Sequence, residues 1–212
     1  MAEKEKKKFS LGGIDDKAEG KGSFFKTLWQ IVKFLVVSGL VTIIQLALAA
    51  LLPLVCDQIQ TLLPEFLRGI FTPTMFTTGS EEAKKYVIDG VVTWGYVLPF
   101  LLSNLIANIY GFYQNKKTTF KSDAPWYNFA AYIVLLLALI LFSTWMQGAI
   151  VGALLKVEAT NWFLNIVTNE SVARLIASMA AGFVQMVVLF PMEKFVLLKE
   201  KKKDGEEAPA AE

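Results

Sequence analysis

Long apolar blocks alternate with charged stretches along this chain, and four of the blocks reach bilayer length, at about residues 31–54, 91–113, 129–152 and 172–192. A hydrocarbon core of about 30 Å takes about 20 residues of helix to cross, whereas helices in soluble cores average about 10–14. Each block therefore predicts a membrane-spanning helix. With their flanking anchors the spans become about 29–54, 91–115, 127–152 and 172–194, and the fold class expected is an all-α membrane protein. Ala47-Leu48-Ala49 resembles a signal-peptidase site, but the first block is too long for a signal and follows a charged tail, so it reads as a retained helix.

Charge is sorted by segment. With the N-terminus inside, the two tails, Lys33, Lys194 and the connection between the second and third spans carry 16 of the 21 lysines and arginines. Arg174 and the two outer connections carry the other five. That asymmetry predicts both termini in the cytoplasm. Residues 1–27 and 198–212 read as disordered or charged cytoplasmic tails around a four-helix domain at 28–197. The second and fourth spans each close on aromatic residues, a lysine and then Phe120 or Phe195, which suggests a parallel repeat of two hairpins.

The connection at 55–89 is long for a membrane bundle. Ile59, Leu62, Leu63, Phe66, Leu67 and Ile70 recur at helical spacing there, with charged and polar residues between them. That pattern predicts an amphipathic segment in the first outer loop, lying in the interface or over the bundle, followed by a flexible loop at 72–85.

Polar positions inside the spans carry the functional argument. Asn104, Asn108, Gly111 and Asn115 stand at i, i+4, i+7 and i+11, within roughly 60° of one another on one helical face. An unpartnered amide in hydrocarbon costs about 2–7 kcal/mol, so this face must meet other helices, water or a polar ligand. On the first span Ser38, Thr42, Gln45 and Ala49 form a face suited to close packing, and on the fourth Arg174, Ser178, Gly182 and Gln185 share a face. Gly148 and Gly152 form a small-residue packing pair on the third, whose outer half also holds Ser143, Thr144 and Gln147. Asn169-Glu170-Ser171 matches a glycosylation sequon, but it lies almost against the membrane and is discounted.

Enzyme chemistry finds no foothold. Histidine is absent, Cys56 is the lone cysteine, and neither a P-loop nor a metal-ligand spacing occurs. No catalytic role, metal or cofactor is expected, and without an aromatic–basic module no nucleic-acid partner is expected either.

Two stretches carry a family resemblance. Lys33-Phe34-Leu35-Val36-Val37-Ser38-Gly39-Leu40-Val41-Thr42 resembles the first helix of the GtrA-like family, and Asn108 through Lys116-Lys117-Thr118-Thr119-Phe120 is similar to that family's most recognisable segment. The likeness covers roughly residues 28–197. It implies a multi-pass protein of the bacterial cytoplasmic membrane that flips a polyprenyl-phosphate-linked monosaccharide, for glycosylation of cell-surface glycan or teichoic acid. On that reading Lys33, Lys116, Lys117 and Lys194 hold the phosphate at the inner face and Arg174 at the outer face. Asn104, Asn108, Asn115, Gln45 and Gln185 pair with sugar hydroxyls, Tyr110, Tyr113 and Trp145 offer stacking surfaces, and the tail stays among the membrane lipids. Two other classes compete: a non-transporting adaptor of a membrane glycosyltransferase, and a small-molecule exporter. The exporter would need a membrane-embedded carboxylate, and the only candidate, Glu193, is expected at the cytoplasmic helix end, which weakens that reading. Four short helices enclose little space, so a homo-oligomer is expected.

Overall fold

The computed structural model describes residues 20, 22–158 and 160–199. Most of both expected tails lies outside the described residues, and the parts inside are not tail-like: the first helix already begins at Ser23, and Leu198 is fully buried. The longest elements are α1 (Ser23–Leu51), α5 (Trp94–Gln114), α6 (Trp126–Leu154) and α8 (Glu170–Pro191). With the short turns that extend them, these give four segments long and apolar enough to cross a membrane: Ser23–Cys56, Trp94–Thr119, Trp126–Leu154 and Glu170–Leu197. The chain is a multi-pass, mostly helical membrane protein. Between the spans lie α2 (Pro53–Cys56), α3 (Glu65–Arg68), α4 (Glu81–Tyr86), the strands β1 (Val87–Ile88) and β2 (Val91–Val92), and α7 (Trp162–Val167). α1 packs along α5 and α6 along α8, and the two pairs meet where α5 borders α6.

Small residues decide both close contacts, though not the ones expected. The buried face of α1 is Gln30, Phe34, Val37 and Val41. On the face expected to pack, Thr42 and Ala49 are exposed, and Ser38 and Gln45 only half-buried. The small residues come from the partner helix instead: Ala107 is fully buried against Val37 and Val41, and a Cβ on Gly111 would stand 2.6 Å from Val41 Cγ2. On α8 the packing line is Ala173, Ala177 and Ala181, one turn apart. Gly148 of α6 makes room for a loop, since a Cβ there would lie 3.0 Å from Thr72 Oγ1, while one on Gly152 would meet nothing within 4 Å. The two glycines are therefore no helix–helix pair.

The connection after α1 is a folded cap. Leu63, Leu67, Phe71, Phe76, Tyr86 and Val92 bury themselves over the start of α5, beside Val97. β1 and β2 pair antiparallel, Val87 with Val92 and Ile88 with Val91, and an isolated bridge joins Leu62 to Thr93. This overturns the flexible loop expected at 72–85, whose Phe76 is as deeply buried as the bundle core. It also shortens the amphipathic helix to the single turn of α3, because Pro64 resets the backbone before Glu65. Asp57 anchors the cap by accepting from Lys85 Nζ and, at 2.5 Å, from Tyr86 Oη. Those bonds, Lys85's first, hold the Asp57 carboxyl below its usual value, while burial and the same carboxylate push the Tyr86 phenol up.

Gly95, at the cap's edge, would place a Cβ 2.7 Å from the Ile59 carbonyl oxygen and 3.3 Å from that of Cys56. Backbone cannot yield as Val41 can. Overpacking typically costs about 1–3 kcal/mol, so Gly111→Ala should lower the thermal midpoint in nanodiscs and Val41→Ala should restore it. Gly95→Ala should be the more damaging, with no single side-chain change to rescue it. Equal tolerance of both substitutions would contradict the packing described.

Candidate functional site

α5 and α8 each run past their last regular turn into a π-turn, Asn115–Thr119 and Met192–Leu197. The closing backbone bonds are Phe120 N–H to the Asn115 carbonyl (2.9 Å) and Leu198 N–H to the Glu193 carbonyl (2.6 Å), each reaching back five residues. Single π-turns inside helices often mark functional positions. Here they bring Asn115 and Glu193 together: Asn115 Nδ2 donates to Glu193 Oε2 at 2.8 Å, with the residues 3% and 1% exposed. Thr119 Oγ1 donates to Asn115 Oδ1 (3.0 Å), which fixes the amide with its NH₂ toward the carboxyl group. Glu193, expected at the cytoplasmic end of its helix, is one of the most buried side chains among the described residues.

Further bonds tie the strands of this end together. Asn128 Nδ2 donates to the Leu197 carbonyl (2.6 Å), and Ser122 Oγ to that of Lys199 (2.7 Å). Lys116 Nζ donates to the Ala124 carbonyl (2.5 Å), Lys33 Nζ to that of Thr118 (2.9 Å), and Lys194 Nζ to Thr27 Oγ1 (2.6 Å). The Lys194 ammonium also lies over the rings of Phe190 and Phe195, at 5.9 and 5.3 Å.

Beside this joint opens a cavity of about 360 Å³ lined by Ser23, Lys26, Thr27, Gln30, Lys194, Phe195 and Lys199. No carboxylate is among these residues. The first turn of α1 forms one wall, with no acidic residue in it and no side-chain cap, so its backbone N–H groups add to the positive field of three ammonium groups. Of the lysines expected to hold phosphate only Lys194 lines the cavity; Lys33 and Lys116 bond to carbonyls elsewhere at this end, and Lys117 is exposed. Lys26 and Lys199 escaped the sequence reading because both were assigned to tails. The weak signal for Lys26 was its place one turn inside a run that already favours helix, from Ser23 onward.

The amide stripe divides into three roles. Asn115 belongs to the joint, and Gly111 is a contact with α1. Asn104 and Asn108 donate to the carbonyls of Phe100 and Asn104 on their own helix, at 2.8 and 2.9 Å. Own-helix pairing is an outcome the sequence reading did not weigh. The carbonyl of Asn108 also accepts from Tyr132 Oη of α6 (3.1 Å). Gln185 Nε2 donates to Ser143 Oγ (3.0 Å) and Ser178 Oγ pairs with Gln147 Oε1 (3.2 Å), which links α8 to α6. Gln45 is half-buried on α1, one turn beyond Val41. Tyr110, Tyr113 and Trp145 are exposed at the bundle surface.

Arg174 stands at the opposite end, bound to the cap. Its Nη1 donates to the Thr74 carbonyl (2.5 Å), and its Nη2 to the Phe76 carbonyl and to Glu170 Oε1 (2.6 Å). Glu170 in turn accepts from Thr78 N–H at 2.8 Å. A phosphate at Arg174 would have to displace these partners. Asn169, the sequon asparagine, caps α8 by accepting from Ser171 and Val172 N–H.

No family model, curated protein or solved structure matches this chain.

Hydrogen bonds to a charged group contribute about 1.5–3 kcal/mol, so losing one raises local opening about tenfold or more. Arg174→Gln should therefore speed hydrogen exchange and protease cleavage across residues 72–80 by at least about tenfold while α1 and α5 stay protected. Unchanged exchange in the cap would show that Arg174 does not hold it.

Proposed function

We propose that this protein is GtrA-like and moves a polyprenyl-phosphate-linked monosaccharide across the bacterial cytoplasmic membrane, feeding glycosylation of a surface glycan. The observation that carries this reading is the lysine-lined cavity at the end of a membrane-spanning bundle. It offers three cationic donors, two hydroxyls and an amide, the donor set a sugar phosphodiester needs. Lys26, Lys194 and Lys199 take the phosphate there, with Lys33, Lys116 and Lys117 as the surrounding basic rim. A polyprenyl tail extends sideways into lipid. Asn104, Asn108 and Gln185 are the next polar groups along the bundle, and their present bonds to protein must exchange for sugar hydroxyls as the substrate passes.

The basic end faces the cytoplasm in this proposal, as the lysine asymmetry favours. A parallel two-hairpin repeat is supported by the matching π-turns. They place Asn115 opposite Glu193, Lys116 opposite Lys194 and Phe120 opposite Leu198, a register different from the Phe120 and Phe195 pairing read in the sequence. Thr42 stands exposed off the packed face of α1, and we assign the homo-oligomer contact to that side.

The test is binding and translocation of a fluorescent farnesyl-phosphate-linked glucose by the full chain in liposomes. Each charge-assisted bond is worth about 1.5–3 kcal/mol, so Lys26→Gln with Lys194→Gln and Lys199→Gln should weaken binding at least about tenfold. Affinity in the wild type should also fall with added salt. A wild-type protein that moves no probe but co-purifies with a polyprenyl-phosphate glycosyltransferase would replace the transporter by the adaptor.

A further inference from the structure

A carboxyl group buried beside a cation-lined cavity poses a charge problem. Glu193 forms no ion pair among the described residues. Its side-chain partner is a neutral amide, Asn115 Nδ2. Its turn carries Leu197, and the next residue is Leu198, both members of a hydrophobic core that also holds Phe120 and Tyr132. The charged and titratable neighbours from each adjoining element are directed elsewhere. On its own π-turn Lys194 bonds to Thr27 and lies against two phenylalanine rings. On the facing π-turn Lys116 bonds to the Ala124 carbonyl, and on α1 Lys33 bonds to that of Thr118. From α6 the phenol of Tyr132 is within electrostatic reach but donates to the Asn108 carbonyl. An ionised carboxylate in such a place would cost several kcal/mol that a single amide bond does not offset. A neutral acid avoids that cost.

The neighbouring residue connects this group to the cavity. Glu193 and Lys194 are consecutive, one turned into the joint and the other lining the cavity. A π-turn can relax to an α-turn by shifting its register one residue, a rotation of about 100°. Such a shift would turn Glu193 out of the joint and move Lys194 within the cavity. Protonation of one and ligation of the other are thereby one equilibrium.

We propose that Glu193 is a proton-binding site linked to anion capture: its neutral carboxyl holds the joint between the two π-turns closed, loss of its proton to water at the basic end opens the joint, and an anion in the lysine-lined cavity favours the protonated form. The inference rests on the cavity being the phosphate site proposed above. It adds a device, a carboxylic acid O–H that anion capture favours and alkalinisation breaks.

The test uses farnesyl-phosphate-linked glucose, a phosphodiester whose single charge does not change near neutral pH. At an alkaline pH where the ligand-free carboxyl is ionised, calorimetry in buffers of different ionisation heat should show proton uptake on binding by the wild type and none by Glu193→Gln. Wild-type affinity should fall as pH rises, by up to about tenfold per unit, the limit for one linked proton. The variant's affinity should be flat over the same range. Proton uptake equal in the two proteins overturns the proposal. Infrared difference spectra on the ligand-free protein decide the site even if the probe does not bind. A protonated-carboxyl band at neutral pH, absent in Glu193→Gln and lost on alkalinisation, supports Glu193 as a proton site and leaves only the substrate reading to fall. A carboxylate already ionised at neutral pH in ligand-free protein, with no uptake on binding, overturns the proposal outright.

Discussion

The bond between Asn115 and Glu193 joins the two hairpin pairs at one end of the bundle, and the rest of that end is arranged around it. Neither side chain could remain buried alone, because an unpaired amide or carboxyl group in an apolar core costs several kcal/mol. The π-turns answer that constraint by carrying both groups to the same spot, and Thr119 holds the amide in the orientation the carboxyl group requires. Asn128 and Ser122 then bind the carbonyls of the chain leaving the second π-turn. The lysine-lined cavity owes its position to the same geometry, since turning Glu193 inward leaves Lys194 facing α1.

The two ends of the molecule are built on different physics. At the loop end Arg174 gathers carbonyls and a carboxylate, Asp57 gathers Lys85 and Tyr86, and a small apolar core seals the cap. Those charged groups bond to the protein around them. At the basic end, lysine ammonium groups reach carbonyls, a hydroxyl and ring faces at helix termini, beside open volume. A substrate that enters at the basic end meets those donors, whereas the cap must give up a network before anything leaves past Arg174.

Four spans were legible in the sequence because length and apolar content alone decide them, and their cores lie within a few residues of the blocks. The asparagine stripe was legible as a face, and three of its four members are buried as helical geometry requires. Its partners were not. Asn104 and Asn108 found carbonyls one turn back, a local solution that spacing cannot distinguish from a distant one. The joint was hidden because a π-turn changes the helical register, so no 3.6-residue count brings Asn115 opposite Glu193. The cap was misread for a related reason: its order comes from Phe71, Phe76 and Tyr86 packing on α5, a tertiary effect that a proline- and threonine-rich segment does not announce. Lys26 and Lys199 fall outside a domain boundary drawn at a change of composition, whereas α1 begins at Ser23 and the chain stays packed through the buried Leu198.

The central claim is that the two π-turns form a joint held by a protonated pair. Distances between spin labels on Lys117 and Val196, both exposed on the facing turns, measure that joint directly in nanodiscs. The account predicts one narrow population at acidic and neutral pH, a second and longer population as pH rises, and a mixture already at neutral pH after Asn115→Leu. A single unchanged distance across the pH range, with or without Asn115, would contradict it.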